Sequence, residues 1–434
     1  MNLEILYRNL GIAAGVLLIT AVISCNPQTS NSYSSAKNAK DISPKITIGY
    51  LASEELEGRA TGSEGERKAA AYLIKHFEAL VLSPKGTDGF LQQYSYVPHG
   101  AAQIHHKGDS ASMGMALVKE VKTANVIAFK DNKAPNTIVI GAHYDHLGYG
   151  DENSLWTGEK AIHNGADDNA SGVAALLELA EYLSKSPAGS VNNNYLFIAF
   201  SGEEKGLYGS NHYTKNPTVA TSQINYMLNM DMVGRLNAEK ALAINGVGTS
   251  SAWTPALNEI QTAGIKQITS ESGVGPSDHT SFYLMDIPVL HFFTGQHEDY
   301  HKPSDDADKI NYSGIEDVVE LMKNLIIKLD SKGKLDFVKT KDSTPATADF
   351  KVTLGVIPDY LYSGKGLRID GAKEGRPGAK AGLIKGDIII EMGEYPIEDI
   401  YGYMEALGKF EKGIQINCIV LRGEEKVILP VVFE

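Results

Sequence analysis

The chain predicts an α/β fold: a three-layer α/β/α sandwich on a mostly parallel or mixed central sheet, followed by a small β-rich domain. Three observations carry this expectation. Residues 137–142 (TIVIGA) and 195–200 (YLFIAF) are continuous apolar runs, the composition of strands buried on both faces. Between such runs lie longer stretches whose apolar residues recur at helical spacing. After residue 350 the pattern changes to short β-rich runs separated by Gly and Pro. With 434 residues there is room for two or three domains at about 150 residues each.

Composition narrows the function classes. Hydrophobic residues make up 43% and charged residues 21%, as in ordinary folded proteins. Lys and Arg total 40 against 53 Asp and Glu, a formal net charge of −13. That surplus argues against a nucleic-acid partner, which needs a concentrated basic face to neutralise phosphates. The only cysteines, Cys25 and Cys418, do not amount to a disulfide framework.

The first segment reads as an address. Arg8 closes a short n-region, and residues 10–23 form an apolar run short of the ~20 residues a membrane span needs. The run ends in Val22-Ile23-Ser24-Cys25, which resembles the bacterial lipobox. The resemblance implies a signal peptide over 1–24, lipidation of Cys25, and an exported protein anchored by lipid to the cell envelope, facing periplasm or surface. An ordinary signal peptide or a simple anchor helix is the alternative. Residues 25–42 include a polar stretch (NPQTSNSYSSAKNAK) that cannot pack and reads as a flexible tether. Cys418 is left as a single thiol, expected to be a small buried apolar residue.

Residues 43–332 alternate strands and helices. Residues 67–82 are amphipathic, with Ala70, Leu73, Ile74, Phe77, Leu80 and Val81 on one face. After the strand at 137–142, helices are expected over 171–183, 252–263 and 315–329, and strands over 195–200, 224–228, 241–244 and 288–293. Such alternation implies a sheet covered by helices on both faces, with reactive side chains just beyond the carboxyl ends of strands. The polar segment 333–349 reads as a linker, and 350–434 as the second domain.

Five acid- and histidine-bearing pieces stand at or just past those expected strand ends: His143-Tyr144-Asp145-His146, Asp167-Asp168-Asn169, Glu203-Glu204, Asp231, and Tyr300-His301. Each alone has a bland explanation, such as a solvated loop acid or an acid at a helix start. Together, in a fold that gathers strand ends into one cleft, they form a crowd of carboxylates that repel unless a cation neutralises them. Imidazole mixed with carboxylate suits zinc.

In order and spacing the motifs GAHYDHLG, NGADDNASG, FSGEEKGLYGS, NMDMVGR and YHKPSDD resemble the co-catalytic di-zinc exopeptidases, a family of secreted bacterial aminopeptidases, glutamate carboxypeptidase and glutaminyl cyclase. The resemblance implies two zinc ions per chain. His143 and Asp231 would bind one, Glu204 and His301 the other, and Asp168 would bridge them. Asp145 would orient His143, Glu203 would serve as general base, and Tyr300 would donate to the developing oxyanion. The implied reaction is hydrolysis of N-terminal residues from peptide substrates. A glutaminyl cyclase on the same scaffold, or an inactive peptide-binding protein, is the alternative.

Several decoys need weighing. His297-Glu298-Asp299-Tyr300-His301 matches HExxH, a helical zinc motif, but Gly295 and Pro303 flank it and the reading leaves the other acids without a role. Ser277-Asp278-His279 resembles a triad, whose members rarely adjoin in sequence. It is expected to cap a helix, and the family resemblance would set His279 at the substrate pocket. His291, inside an apolar run, is expected to be a satisfied core histidine. His105, His106 and His212 are expected at the surface.

The final stretch resembles a bacterial-type PDZ domain through Gly364-Lys-Gly366-Leu367-Arg368-Ile369, the run PGAKAGL at 377–383 and the run KGDIII at 385–390. By that resemblance Gly364, Gly366, Leu367, Arg368 and Ile369 would form a loop whose backbone N–H groups cradle a peptide C-terminus.

Overall fold

Local chemistry sets the first helices. Helix α1 (Pro44–Leu51) carries Pro44 in its first turn, where a missing N–H costs nothing. Helix α2 (Glu64–Ala79) is capped by Ser63, whose side-chain oxygen accepts the Glu66 N–H at 3.1 Å. The cap starts the helix three residues ahead of the apolar periodicity at 67–82.

The structure is a computed structural model, and its described residues are 42–97, 120–150, 153–187, 189–260, 264–340, 351–359, 362, 364–372 and 375–433. The first part continues with β1 (Ser83–Pro84), β2 (Leu91–Tyr96), β3 (Val121–Lys130), β4 (Asn136–His143), α3 (Gly172–Ser184), β5 (Asn193–Phe200), α4 (Tyr208–Lys215) and β6 (Ile224–Met230). After these come β7 (Ala241–Asn245), α5 (Trp253–Glu259), β8 (Lys266–Ser270), α6 (His279–Tyr283), β9 (Val289–Phe293) and α7 (Tyr312–Asp330).

Among the described residues these strands form one nine-stranded sheet in the order β1-β3-β5-β4-β6-β9-β7-β8, with β2 paired to β3. The centre is parallel (β5-β4-β6-β9), and β3 and β7 run antiparallel to it, so the sheet is mixed. Period-two alternation sorts β4 between two cores. Ile138 and Ile140 join α2, α3 and α7 on one side, and Val139 joins Tyr213 of α4 and Phe282 of α6 on the other. The outcome is the expected three-layer sandwich. Every residue of β5 and β6 is buried, which accounts for the unbroken apolar run at 195–200 and the mainly apolar β6.

Strands β2, β3 and β8 and the short helices α1, α4 and α6 lacked a clear period in the sequence. Their burial is partial or their length too small to repeat. The first half of the expected linker also departs from expectation. Residues 333–340 are strapped to the sandwich: Leu335 enters the main core, its N–H donates to Asn225 Oδ1 at 2.8 Å, and Phe337 packs on Tyr283. Two apolar side chains in a polar stretch suffice for that docking.

A second sheet with its own apolar core follows: β10 (Val356–Pro358), β11 (Leu367–Ala372), α8 (Pro377–Ala381), β12 (Ile388–Met392), β13 (Tyr395–Pro396), α9 (Ile400–Leu407), β14 (Gln415–Arg422) and β15 (Glu425–Val432). Its order is β10-β11-β12-β14-β15, with β13 on β12 and antiparallel pairing throughout. Cys418 is fully buried in this core, and burial pushes its thiol up to about 12. Among the described residues no helix is long and apolar enough to cross a membrane. Cys25 and the rest of the expected address lie outside the described residues.

Candidate metal centre

The parallel strands β4, β5 and β6 all end at one edge, and each leads into an acidic or imidazole side chain. His143 closes β4, Glu203 and Glu204 follow β5, and Asp231 follows β6. Asp168 comes from the helical turn Ala166–Ser171 ahead of α3, and His301 from the loop after β9. Side chains more than 150 residues apart in sequence thereby share one buried cleft lined by His143, Asp168, Glu203, Glu204, Asp231 and His301.

The two oxygens of Asp168 face two different imidazoles. Oδ1 lies 3.3 Å from His143 Nε2, and Oδ2 lies 3.2 Å from His301 Nε2. His143 Nε2 is also 3.3 Å from Asp231 Oδ1, and His301 Nε2 is 3.3 Å from Glu204 Oε2. Two groups of donors lie close enough to share an ion: His143, Asp168 and Asp231, and His146, Asp168 and Glu204, each within 4.8 Å. Mixed imidazole and carboxylate donors, buried and converging from both sides of one carboxylate, fit a pair of divalent cations of zinc type. All five residues expected as ligands come together.

His146 was not foreseen as a neighbour of the second group. Its Nδ1 meets Glu204 Oε1 at 2.7 Å, while its buried Nε2 has no hydrogen-bond partner. Gly165, at φ +59°, makes room for the ring, since a Cβ there would lie 2.5 Å from His146 Cδ2.

Electrostatics separate the two adjacent glutamates. Burial raises the carboxyl of Glu203 well above its ordinary value, and the charges of Asp231 and Glu204 push the same way. Burial and Asp168 also push Glu204 upward, but His301 and His146 outweigh them and hold it at about 2. Burial would lower His143, yet Asp231 and Glu203 keep its imidazole well above the usual range. Glu203 Oε2 stands 3.9 Å from His143 Nε2, near both donor groups and a member of neither.

Asp145 lies against His143 with both its main chain and its carboxylate. Its backbone carbonyl accepts from His143 Nδ1 at 3.2 Å, and its carboxylate is 3.7 Å away. The carboxylate also accepts the Thr61 hydroxyl at 2.7 Å and the backbone N–H of Glu203 at 3.2 Å. Asp145 thus ties the His143 loop to the Glu203 loop. Tyr300 lines the cleft, its ring stacked on His301 at 3.8 Å between centroids.

The supports behind these residues were harder to foresee. Asn169 donates to Met230 O and accepts from Met232 N–H, clamping the turn of Asp168 to that of Asp231. Arg59, fully buried, donates to the carbonyls of Leu51, Tyr144, Asn164 and Gly165, and burial lowers it to about 10. No periodic pattern marks a lone Arg in a loop as such a knot.

The decoys resolve physically. His297 and His301 do not share a helix: His301 has φ +54°, and His297 Nε2 meets Asp167 Oδ2 at 3.1 Å instead of the donor groups. Asp278 stands at the start of α6 but makes no side-chain cap bond, and Ser277 Oγ accepts from Asn229. His279 and His291 stack at 4.5 Å; His291 lines the cleft and His279 lies behind it, the reverse of the expectation. Burial holds both imidazoles below their ordinary value. His212 is partly buried against Tyr94, and His105 and His106 lie outside the described residues.

Of the five residues expected to cradle a peptide carboxylate, two have backbone donors engaged within the fold. Leu367, Arg368 and Ile369 belong to β11, which is paired on both sides. The N–H of Gly366 donates to Glu398 O at 2.8 Å and that of Ile369 to Asp387 O at 2.9 Å. Arg368 pairs with Asp359.

Comparison with known proteins agrees with this geometry. Aminopeptidase YwaD of Bacillus subtilis (strain 168) is 29% identical over 240 residues, covering 52% of this chain and 48% of that protein. A probable leucine aminopeptidase of Arthroderma otae is 31% identical over 193 residues, covering 42% of this chain and 50% of its own. The match thus spans about half the length of these curated relatives. The solved structure of BSAP, a zinc aminopeptidase from Bacillus subtilis, shares the fold, with a TM-score of 0.53, 19% identity, and coverage of 70% of this chain and 96% of that one. Residues 125–326, which hold every expected ligand, match the family model for Peptidase family M28, and the curated relatives support that match.

Proposed function

We propose that this protein is a zinc-dependent aminopeptidase that removes N-terminal residues from peptides, holding two zinc ions per chain. The observation that carries the reading is Asp168, whose oxygens face His143 and His301 while Glu203 stands beside both donor groups. His143 and Asp231 would hold one ion, Glu204 and His301 the other, with Asp168 between them and His146 bracing Glu204. When bound, such a pair supplies an acidified water and polarises the scissile carbonyl. Glu203 takes the proton of the attacking water and returns it to the leaving amine, a task that suits a buried carboxyl with raised proton affinity. Tyr300, packed on His301, donates to the oxygen that gains charge. The acids beside the cleft attract the substrate's α-ammonium group.

Aminopeptidase-named relatives support the reaction class. The competing chemistry on such a scaffold is cyclisation of N-terminal glutamine. Zinc content per chain, measured with N-terminal release from leucyl, alanyl and glutaminyl peptides with and without chelator, separates the two. Release of free N-terminal residues that stops on chelation supports the proposal, and pyroglutamyl product without release overturns it.

The anchoring reading rests on the lipobox-like segment, with Cys25 as the lipidated residue of an exported envelope protein. The second sheet with α8 and α9 is read as a PDZ-like module on the basis of its motifs.

A further inference from the structure

The metal cleft does not end at the metal ligands. It is lined by Glu203, Glu204 and Pro276, and those three residues also line an adjoining depression with Lys205, Gly275 and Met404. Gly275, Pro276 and Met404 in turn line a third cleft of about 430 Å³. One wall of that cleft comes from the first sheet and the loop after it, through Asn245, Ser270, Glu271 and Ser272. The opposite wall comes from the second sheet and α9, through Tyr362, Leu367, Ile400 and Met404. Shared walls therefore link the three clefts from His143 and His301 to α9.

We propose that this cleft is an extended subsite that holds the interior of a peptide substrate, downstream of the residue being removed; the inference rests on the aminopeptidase reading. Its size falls within the range of ligand sites, about 300–1,000 Å³. Its walls alternate apolar side chains (Leu367, Ile400, Met404) with hydroxyl and amide groups (Ser270, Ser272, Asn245), the mixture an extended chain with side chains and backbone polar groups requires. Charge decides which part of a peptide fits. Glu271, Asp359 and Asp399 face the cleft, and the one cation among its described lining residues, Arg368, is paired with Asp359 and lies 4.6 Å over the Tyr362 ring. Gly366 has already given its N–H to Glu398. A terminal carboxylate would meet the like charge of Glu271 with Arg368 already committed to Asp359, whereas an uncharged stretch of backbone carries no charge for that wall to repel. The cleft therefore selects long peptides over short ones and is indifferent to a free C-terminus.

The test uses the full chain, zinc-loaded, with leucine para-nitroanilide, an N-terminal leucyl octapeptide, and the same octapeptide amidated at its C-terminus. In Glu271→Trp, an exposed position where an indole narrows the cleft, the ratio of octapeptide to nitroanilide kcat/KM is expected to fall about tenfold, mainly through KM. Ile400→Glu on the other wall is expected to move the ratio in the same direction. The wild type is expected to process acid and amide octapeptides within about twofold of each other. An unchanged ratio in both variants overturns the inference, as does a preference above about fivefold for the free acid. If the wild type releases leucine from none of the three substrates, the aminopeptidase reading falls and takes this one with it.

Discussion

Asp305 sits beneath Asp168: its Oδ2 accepts the backbone N–H of Asp168 at 3.0 Å and that of Asp167 at 2.9 Å. A carboxylate that would bridge two cations is thus aimed by a second carboxylate through the main chain. Asp305 is fully buried, and burial followed by the nearby Asp167 raises it to about 6. Asp305→Asn removes the charge and one symmetric acceptor without changing volume. Zinc affinity is expected to fall about 10- to 100-fold, the usual cost of losing a ligand's outer support. Competition titration against a chromogenic chelator reads this, and unchanged affinity would remove Asp305 from the account.

Glu203 and Glu204 are adjacent, yet only Glu204 lies in a donor group. Glu203→Gln is expected to keep zinc at the wild-type stoichiometry while kcat drops by about 10² to 10⁴. Metal analysis beside steady-state kinetics checks both halves. Loss of zinc together with activity would make Glu203 a ligand.

Arg59 gives the site its floor. Arg59→Met would leave four carbonyl groups without their donor, at about 1–3 kcal/mol for each that stays buried. A loss of at least about 3 kcal/mol in urea unfolding is expected, with Tm falling in step. A change under about 1 kcal/mol would mean that water replaces the guanidinium.

Glu66 should make stability depend on pH. It is buried in the first turn of α2, accepting from Gly62 N–H and from the Thr123 and Ser201 hydroxyls. Burial, with Asp145 adding to it, raises its carboxyl from an ordinary 4.5 to about 8. Between those values the folded chain keeps a proton that the unfolded chain has lost. Its contribution is therefore full below pH 4.5 and declines as pH rises towards about 8. Glu66→Gln is expected to flatten that part of the stability profile of the zinc-free protein. An identical slope in the variant would show that Glu66 is ionised in the fold.

On the proposed anchoring, Cys25→Ala is expected to move the protein from the membrane pellet to the soluble fraction of cells that export it, because the sulfur proposed to carry the lipid is gone. A variant that still sediments with membranes would leave the anchor to the apolar segment 10–23.

What sequence alone determined was the kind of chemistry and most of its residues. TIVIGA and YLFIAF are unbroken because β4 and β5 are buried on both faces, and that same burial puts His143 and Glu203-Glu204 at one sheet edge. Spacing could therefore pair motifs with strand ends. Contacts made by single side chains across loops follow no period, so Arg59, Asp305 and His146 were legible only in three dimensions. The same holds for the Asp145 carbonyl, which meets His143 Nδ1 beside its own carboxylate, and for Gly366, whose N–H is taken by Glu398. Periodicity reports which way a side chain faces, whereas hydrogen-bond partners depend on which distant segments meet, and only the packed fold decides that.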